Sequence, residues 1–244
     1  MRVMAASLAG WLLGAQVLAF GQTLPVVPPT ATAPAVPALR PPPAAPLETV
    51  SRRDRELAGY EAADRVAPPP RNGIVFVGSS SIVDWDVKSA FPELNIINRG
   101  LWGSSLADAV RLVDRLVLAY EPRLVVLYAG DNDINSGRLA EEVVVEFERF
   151  VRAIHLARPQ TRIVYIGIKP SLQRWVQIDR MRAANRMIRA FAERDDRVAF
   201  VDVDQAMLGW DEKPRHELFL SDGLHMSAQG YQIWSTLLRP FLLP

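Results

Sequence analysis

Between residues 74 and 203, short apolar runs recur, each bounded by Gly, Asn or Asp: Ile74 to Val77, Asn95 to Ile97, Leu124 to Tyr128, Ile163 to Ile168 and Val198 to Val203. Runs of this length, rich in β-branched residues and closed by turn formers, predict β-strands. Helical patterns lie between them. The clearest is Glu141 to Ala157, where Val143, Phe147, Phe150, Val151 and Ile154 share one face while Glu146, Glu148 and Arg152 lie elsewhere. A second helical run spans Ala228 to Leu238, and Ile82 to Trp85 reads as the start of another. Regular alternation of strand and helix implies parallel pairing with right-handed crossovers. The expected fold is therefore α/β, a three-layer doubly wound α/β/α domain with a five-stranded parallel sheet and its ligand site outside the carboxyl ends of the strands.

Upstream of these runs the pattern changes twice. Ser51 to Arg65 is charged and reads as an amphipathic helix closed by Pro68, Pro69 and Pro70, so the folded domain is expected to span residues 51–244. Thr23 to Pro46 is almost entirely Pro, Ala, Val and Thr and holds nine of the nineteen prolines, which removes the amide donors and the periodicity that regular structure needs. Residues 23–50 are expected to form an extended, polyproline-like tether, serving either as a spacer or as a leader with no role. Residues 1–22 combine Arg2, an uncharged apolar run from Ala5 to Phe20 and the small residues Ala19 and Gly21. This reads as a cleaved signal peptide, with an uncleaved anchor as the alternative, since a membrane span needs roughly 20 apolar residues. Export to the periplasm or beyond, with envelope association through this segment, is the expectation.

Composition narrows the chemistry. The chain has 244 residues, a formal net charge of +1, 49% hydrophobic and 23% charged residues, as an ordinary globular protein does. Without cysteine there is no thiol catalysis and no cysteine-ligated metal. The balanced charge leaves no electrostatic footprint for nucleic acid.

Four strand-end segments carry groups that can react. The first strand runs into Gly78-Ser79-Ser80-Ser81, placing a serine where free amides favour developing negative charge. Taken alone, such a run is more often a turn capping a helix. A serine needs a general base, and the chain has three histidines. His155 lies in a helical stretch and suits a structural role, while His216 follows Lys213 and Arg215 in a surface-like loop. His225 stands in Ser221-Asp222-Gly223-Leu224-His225, where one turn can present an acid and an imidazole to the same cleft, the acid fixing the tautomer. Asp222 as a simple helix-start cap is the competing reading. The other two segments are Asn98-Arg99-Gly100-Leu101-Trp102-Gly103-Ser104 and Gly130-Asp131-Asn132-Asp133, both placed in strand-end loops. Glycine amides and asparagine side chains suit an oxyanion, although the same residues dominate ordinary turns.

Together, the four segments resemble those of the SGNH hydrolase superfamily, the GDSL-like esterases and lipases, over most of the chain beyond the tether. The family's first block is Gly-Asp-Ser followed by an apolar residue, and Gly78-Ser79-Ser80 matches it with Ser79 in place of Asp. The resemblance implies Ser80 as nucleophile, with Ser79 and Ser81 as alternatives because of that departure. An Asn-x-Gly-x-x-Gly block matches Asn98, Gly100 and Gly103, implying Gly103 as a backbone oxyanion donor. Gly-x-Asn-Asp matches Gly130 to Asp133 and implies Asn132 as the side-chain donor, beside the Ser80 amide; Asp-x-x-His matches Asp222 and His225. The implied fold is the flavodoxin-like SGNH fold, and the implied activity is ester hydrolysis through an acyl-enzyme.

Rival plans lack their motifs. There is no Gly-x-Ser-x-Gly elbow, no Gly-x-x-x-x-Gly-Lys phosphate loop and no His-Glu-x-x-His helix, so no cofactor and no metal are implied. A non-catalytic glycan-binding module on the same fold is the alternative from another class. The expected partner is a small-molecule, lipid or glycan ester: a short-chain ester, a lysophospholipid or a carbohydrate O-acetyl ester. Of the tryptophans Trp85, Trp102, Trp175 and Trp210, only Trp102 is a candidate substrate contact, since tryptophan in such domains is more often core.

Overall fold

The computed structural model describes residues 47–243. The expected signal peptide and most of the expected tether lie outside the described residues. Five strands, β1 (Ile74–Gly78), β2 (Ile96–Gly100), β3 (Leu124–Tyr128), β4 (Arg162–Ile166) and β5 (Val198–Val201), form one parallel sheet in the order β2-β1-β3-β4-β5. The helices are α1 (Leu47–Val66), α2 (Ser80–Val83), α3 (Val87–Ala90), α4 (Leu106–Arg111), α5 (Val113–Leu116), α6 (Asp131–Asn135), α7 (Ala140–Ala157), α8 (Ile178–Ala192) and α9 (Ala228–Leu242). The strand order reverses beside β1, and the crevice at such a switch point is where ligands bind in open parallel sheets.

The period of two along each strand divides the core. In β1, Val75 and Val77 join Leu127, Phe147, Phe150 and Ile188 on the face covered by α1 and α4–α8. Ile74 and Phe76 join Trp85, Trp234 and Leu238 on the face covered by α2, α3 and α9. Every β1 and β3 residue is buried, which is why these strands read as unbroken apolar runs. The layers meet closely at the strand ends: a Cβ on Gly78 would lie 1.9 Å from the Tyr128 carbonyl oxygen, so only glycine brings β1 against β3 where α2 begins.

The structure departs from the sequence reading at several points. The expected strand Asn95 to Ile97 extends instead through Asn98, Arg99 and Gly100, which pair with Phe76, Val77 and Gly78. An arginine within a strand is tolerated because Arg99 donates to Asp64 (2.5 Å), to the Tyr120 hydroxyl and to the Asn98 carbonyl. The strands ending at Val203 and Ile168 in the reading stop at Val201 and Ile166. Of Gly130 to Asp133, read as a loop, Gly130 is the N-cap residue of α6 and Asp131 to Asp133 lie within the helix. Glu146, placed off the apolar face of α7, is only 9% exposed and is held by Arg149 one turn on, at 3.0 Å. The helix expected at Ser51 to Arg65 begins four residues earlier, within the segment read as tether.

Candidate active site

Ser80 opens α2 directly after β1, and Ser79 is its N-cap residue. The three adjacent serines are not equivalent. Ser79 and Ser81 are 1% and 2% exposed, whereas Ser80 is half-buried and its Oγ lies 3.1 Å from His225 Nε2. The Ser81 hydroxyl instead accepts from the buried Lys169 ammonium at 3.3 Å. Asn98 holds this corner together: its side-chain amide donates to the Ile82 carbonyl (2.5 Å), and its oxygen accepts from the Gly100 amide (2.9 Å).

His225 is carried by the loop before α9, which is anchored through hydrogen bonds from Leu220 N to His225 O and from Gln173 N to Gly223 O. Its Nδ1 lies 2.6 Å from Asp222 Oδ2, while Asp222 Oδ1 accepts from the amides of Leu224 (2.9 Å) and His225 (3.0 Å). Burial acts to raise the Asp222 pKa, but the hydrogen bonds from His225 and these amides outweigh it and hold the carboxyl down to about 2. Three charge-favouring hydrogen bonds thus keep it ionised and aimed at the ring. Of the other histidines, His155 Nε2 meets the Thr161 carbonyl at 3.0 Å and His216 is exposed, and neither reaches the site.

The candidate oxyanion donors lie in the segments that follow β2 and β3, and the Ser104 hydroxyl ties the first of these to the end of β1 by donating to the Gly78 carbonyl at 3.0 Å. Gly103 turns the β2–α4 loop with φ +64°, a region glycine enters without a Cβ penalty. Among the described residues, no partner within the protein accepts from the N–H groups of Ser80 or Gly103. The Asn132 amide is fixed in orientation: Nδ2 donates to the Ser104 carbonyl and Oδ1 accepts from Arg174 Nη2, both at 3.0 Å. Because guanidinium can only donate, the side-chain oxygen must face Arg174 and the NH2 the opposite way. Arg174 in turn is held by Asp131 (3.0 Å), which also faces Lys169 (3.6 Å). Burial lowers the Lys169 pKa and Asp131 opposes that shift.

Sequence reasoning missed Lys169, Arg174 and Asp131 as supports, and no local motif marks the two cations. Trp102 packs edge-on to the His225 ring, with centroids 5.8 Å apart. Trp85 is core, Trp175 is half-buried and Trp210 is 99% exposed.

Asp133, next to Asn132, is fully buried and accepts from the Leu106 amide (3.1 Å) at the start of α4. Burial raises its pKa from an ordinary 3.8 to about 6, against the opposing hydrogen bonds. Below pH 4 the carboxyl is protonated in both folded and unfolded chains. Between about 4 and 6 the unfolded chain has already released this proton while the folded one retains it, so folding stability falls as pH rises through that window. The shift corresponds to about 3 kcal/mol at most. Urea unfolding at pH 4 and pH 7 should therefore show the parent losing up to that much more stability than Asp133→Asn. Equal losses would contradict the buried-acid assignment.

A doubly wound five-stranded sheet with serine, histidine and aspartate in one hydrogen-bonded row at its carboxyl ends defines an SGNH-type hydrolase architecture. Residues 80–233 match the GDSL-like lipase/acylhydrolase family, and the chain belongs to that family of ester hydrolases. It is 28% identical over 179 residues to platelet-activating factor acetylhydrolase IB subunit alpha1 of Bos taurus, covering 70% of this chain and 75% of that one. A GDSL-like lipase from Bacteroides thetaiotaomicron shares the fold at 19% identity and a TM-score of 0.67, with 76% of this chain and 96% of that one covered. So does a carbohydrate esterase family 3 protein from Talaromyces cellulolyticus, at 17% identity and a TM-score of 0.57, covering 69% and 95%.

Proposed function

We propose that the protein is a serine esterase in which Ser80 is the nucleophile, His225 the general base and Asp222 the residue that orients it. The observation that carries this reading is the continuous row from Asp222 Oδ2 to His225 Nδ1 (2.6 Å) and from His225 Nε2 to Ser80 Oγ (3.1 Å). Ser80 Oγ attacks the ester carbonyl as Nε2 takes its proton, and the carbonyl oxygen becomes the oxyanion. Its charge is met by the N–H groups of Ser80 and Gly103 and by Asn132 Nδ2. Nε2 returns the proton to the leaving alcohol, giving acyl-Ser80. Water then attacks with Nε2 again as base, releasing the acid and restoring the serine.

The substrate reading is a short-acyl ester, acetyl above all. Relatives named as acetylhydrolases support it, as does a structural neighbour named as an acetyl esterase. The apolar leader and Pro-rich segment support export, with the substrate outside the cytoplasm. The test is hydrolysis of p-nitrophenyl acetate, butyrate and octanoate by the purified protein; kcat/KM should fall as the acyl chain lengthens. A maximum at octanoate would overturn the acyl-length reading and leave the esterase reading intact.

Asn132→Ala removes one of the three donors and should lower kcat about 100- to 1000-fold with the fold retained. Steady-state kinetics beside circular dichroism checks this, and near-parental turnover would remove Asn132 from the oxyanion role.

A further inference from the structure

The helix α1 lies upstream of the family-matched residues, yet its side chains contact the loop that carries Gly103 at three points. The Glu56 carboxylate accepts from the Trp102 amide at 3.2 Å, and Arg53 Nη2 donates to the Gly103 carbonyl at 3.2 Å. The Tyr60 hydroxyl donates to the Gly100 carbonyl at 2.6 Å, where β2 ends. The Gly103 N–H belongs to the peptide joining Trp102 to Gly103. Glu56 holds the peptide before that one and Arg53 the peptide after it, so the plane between them has little freedom to rotate. A glycine with φ +64° and an exposed position would otherwise leave that N–H loosely aimed.

The rest of α1 keeps those three side chains in place. Leu57 is buried in the core, Arg53 also pairs with Asp108 (2.8 Å) and Asp64 pairs with Arg99 (2.5 Å). The Arg99 guanidinium lies 4.8 Å and 4.6 Å from the rings of Tyr60 and Tyr120. Arg52 lies 5.5 Å from the Trp102 ring, which also packs against His225. The docking is mainly polar, which suits fixing a backbone direction more than burying area.

We infer that Glu56, Arg53 and Tyr60 of α1 are positioning residues that aim the Gly103 N–H at the oxyanion. The inference rests on the proposed oxyanion role of Gly103. A donor must be pre-aimed to stabilise a transition state, and small misplacements reduce kcat more than substrate binding.

The experiment measures kcat, KM and thermal unfolding of full-length variants on p-nitrophenyl acetate. Glu56→Ala should lose about tenfold or more in kcat with KM within about threefold. Its unfolding midpoint should stay within about 3 °C of the parent. Glu56→Gln, which keeps an acceptor for the Trp102 amide, should recover most of the loss, and Tyr60→Phe should show a smaller fall of the same kind. Glu61→Ala, which removes only the α1 contact to Arg115 (2.6 Å), should leave kcat within about twofold. Parental kcat in Glu56→Ala beside a crippled Asn132→Ala would overturn the inference and spare the oxyanion reading. Equal losses in Glu56→Ala and Glu61→Ala would reduce α1 to a general buttress and likewise overturn it. Parental kcat in both Glu56→Ala and Asn132→Ala would overturn the oxyanion reading together with the inference.

Discussion

Ser80→Ala should abolish ester hydrolysis almost completely, with kcat falling by roughly 10⁵- to 10⁶-fold, because without the nucleophile the base and the oxyanion donors have nothing to activate. The neighbouring serines supply the control. Ser79 Oγ is buried and has no hydrogen-bond partner among the described residues, so Ser79→Ala removes an unsatisfied polar atom and should be close to neutral. Ser81→Ala deprives Lys169 of one acceptor while leaving it Tyr128 and Asp131, so it should cost some stability and little turnover. Assays of the three folded variants on p-nitrophenyl acetate decide the matter. Activity that survives in Ser80→Ala and disappears in Ser79→Ala or Ser81→Ala would move the nucleophile.

The features legible in the sequence were those imposed by local physics. Leu124 to Tyr128 could be read as a strand to the residue because a strand covered on both faces must be apolar throughout. Gly78 was legible through the block it shares with the family, and the fold supplies the reason, since no side chain fits where β1 meets β3; Asp222 and His225 were legible because a three-residue turn can bring them together. What escaped were charges whose role depends on distant partners. Arg99 reads as a loop residue until Asp64, 35 positions upstream, and Tyr120 are placed beside it. Arg174 and Asn132 are 42 positions apart, and Glu56 and Trp102 are 46 apart. No periodicity links such pairs. The candidate donors were therefore visible as motifs, while the groups that contact them required the fold.

Asp222→Asn should be the most damaging conservative change in the site after loss of the serine, lowering kcat about 10³- to 10⁴-fold. The reason lies in how completely the carboxylate is used. One oxygen accepts from the Leu224 and His225 amides and the other meets His225 Nδ1, so both oxygens act as acceptors. Asparagine offers only one acceptor. If its oxygen faces the two amides, its NH2 points at Nδ1, which must then accept; the ring proton moves to Nε2, and the base can no longer take the proton of Ser80. If the amide flips, its NH2 confronts two backbone N–H groups at hydrogen-bond distance, and the loop must distort. Asp222→Ala avoids both conflicts: the side chain of Asp222 is 43% exposed, so water can reach Nδ1 and support the productive tautomer. Alanine should therefore retain more activity than asparagine, the reverse of what similarity of shape would give. The parent carboxyl stays ionised down to a pH of about 2, so loss of activity on mild acidification does not report protonation of Asp222. Kinetics of the two variants across pH check both points. If Asp222→Asn matches or exceeds Asp222→Ala, Asp222 caps the loop and does not set the tautomer of His225.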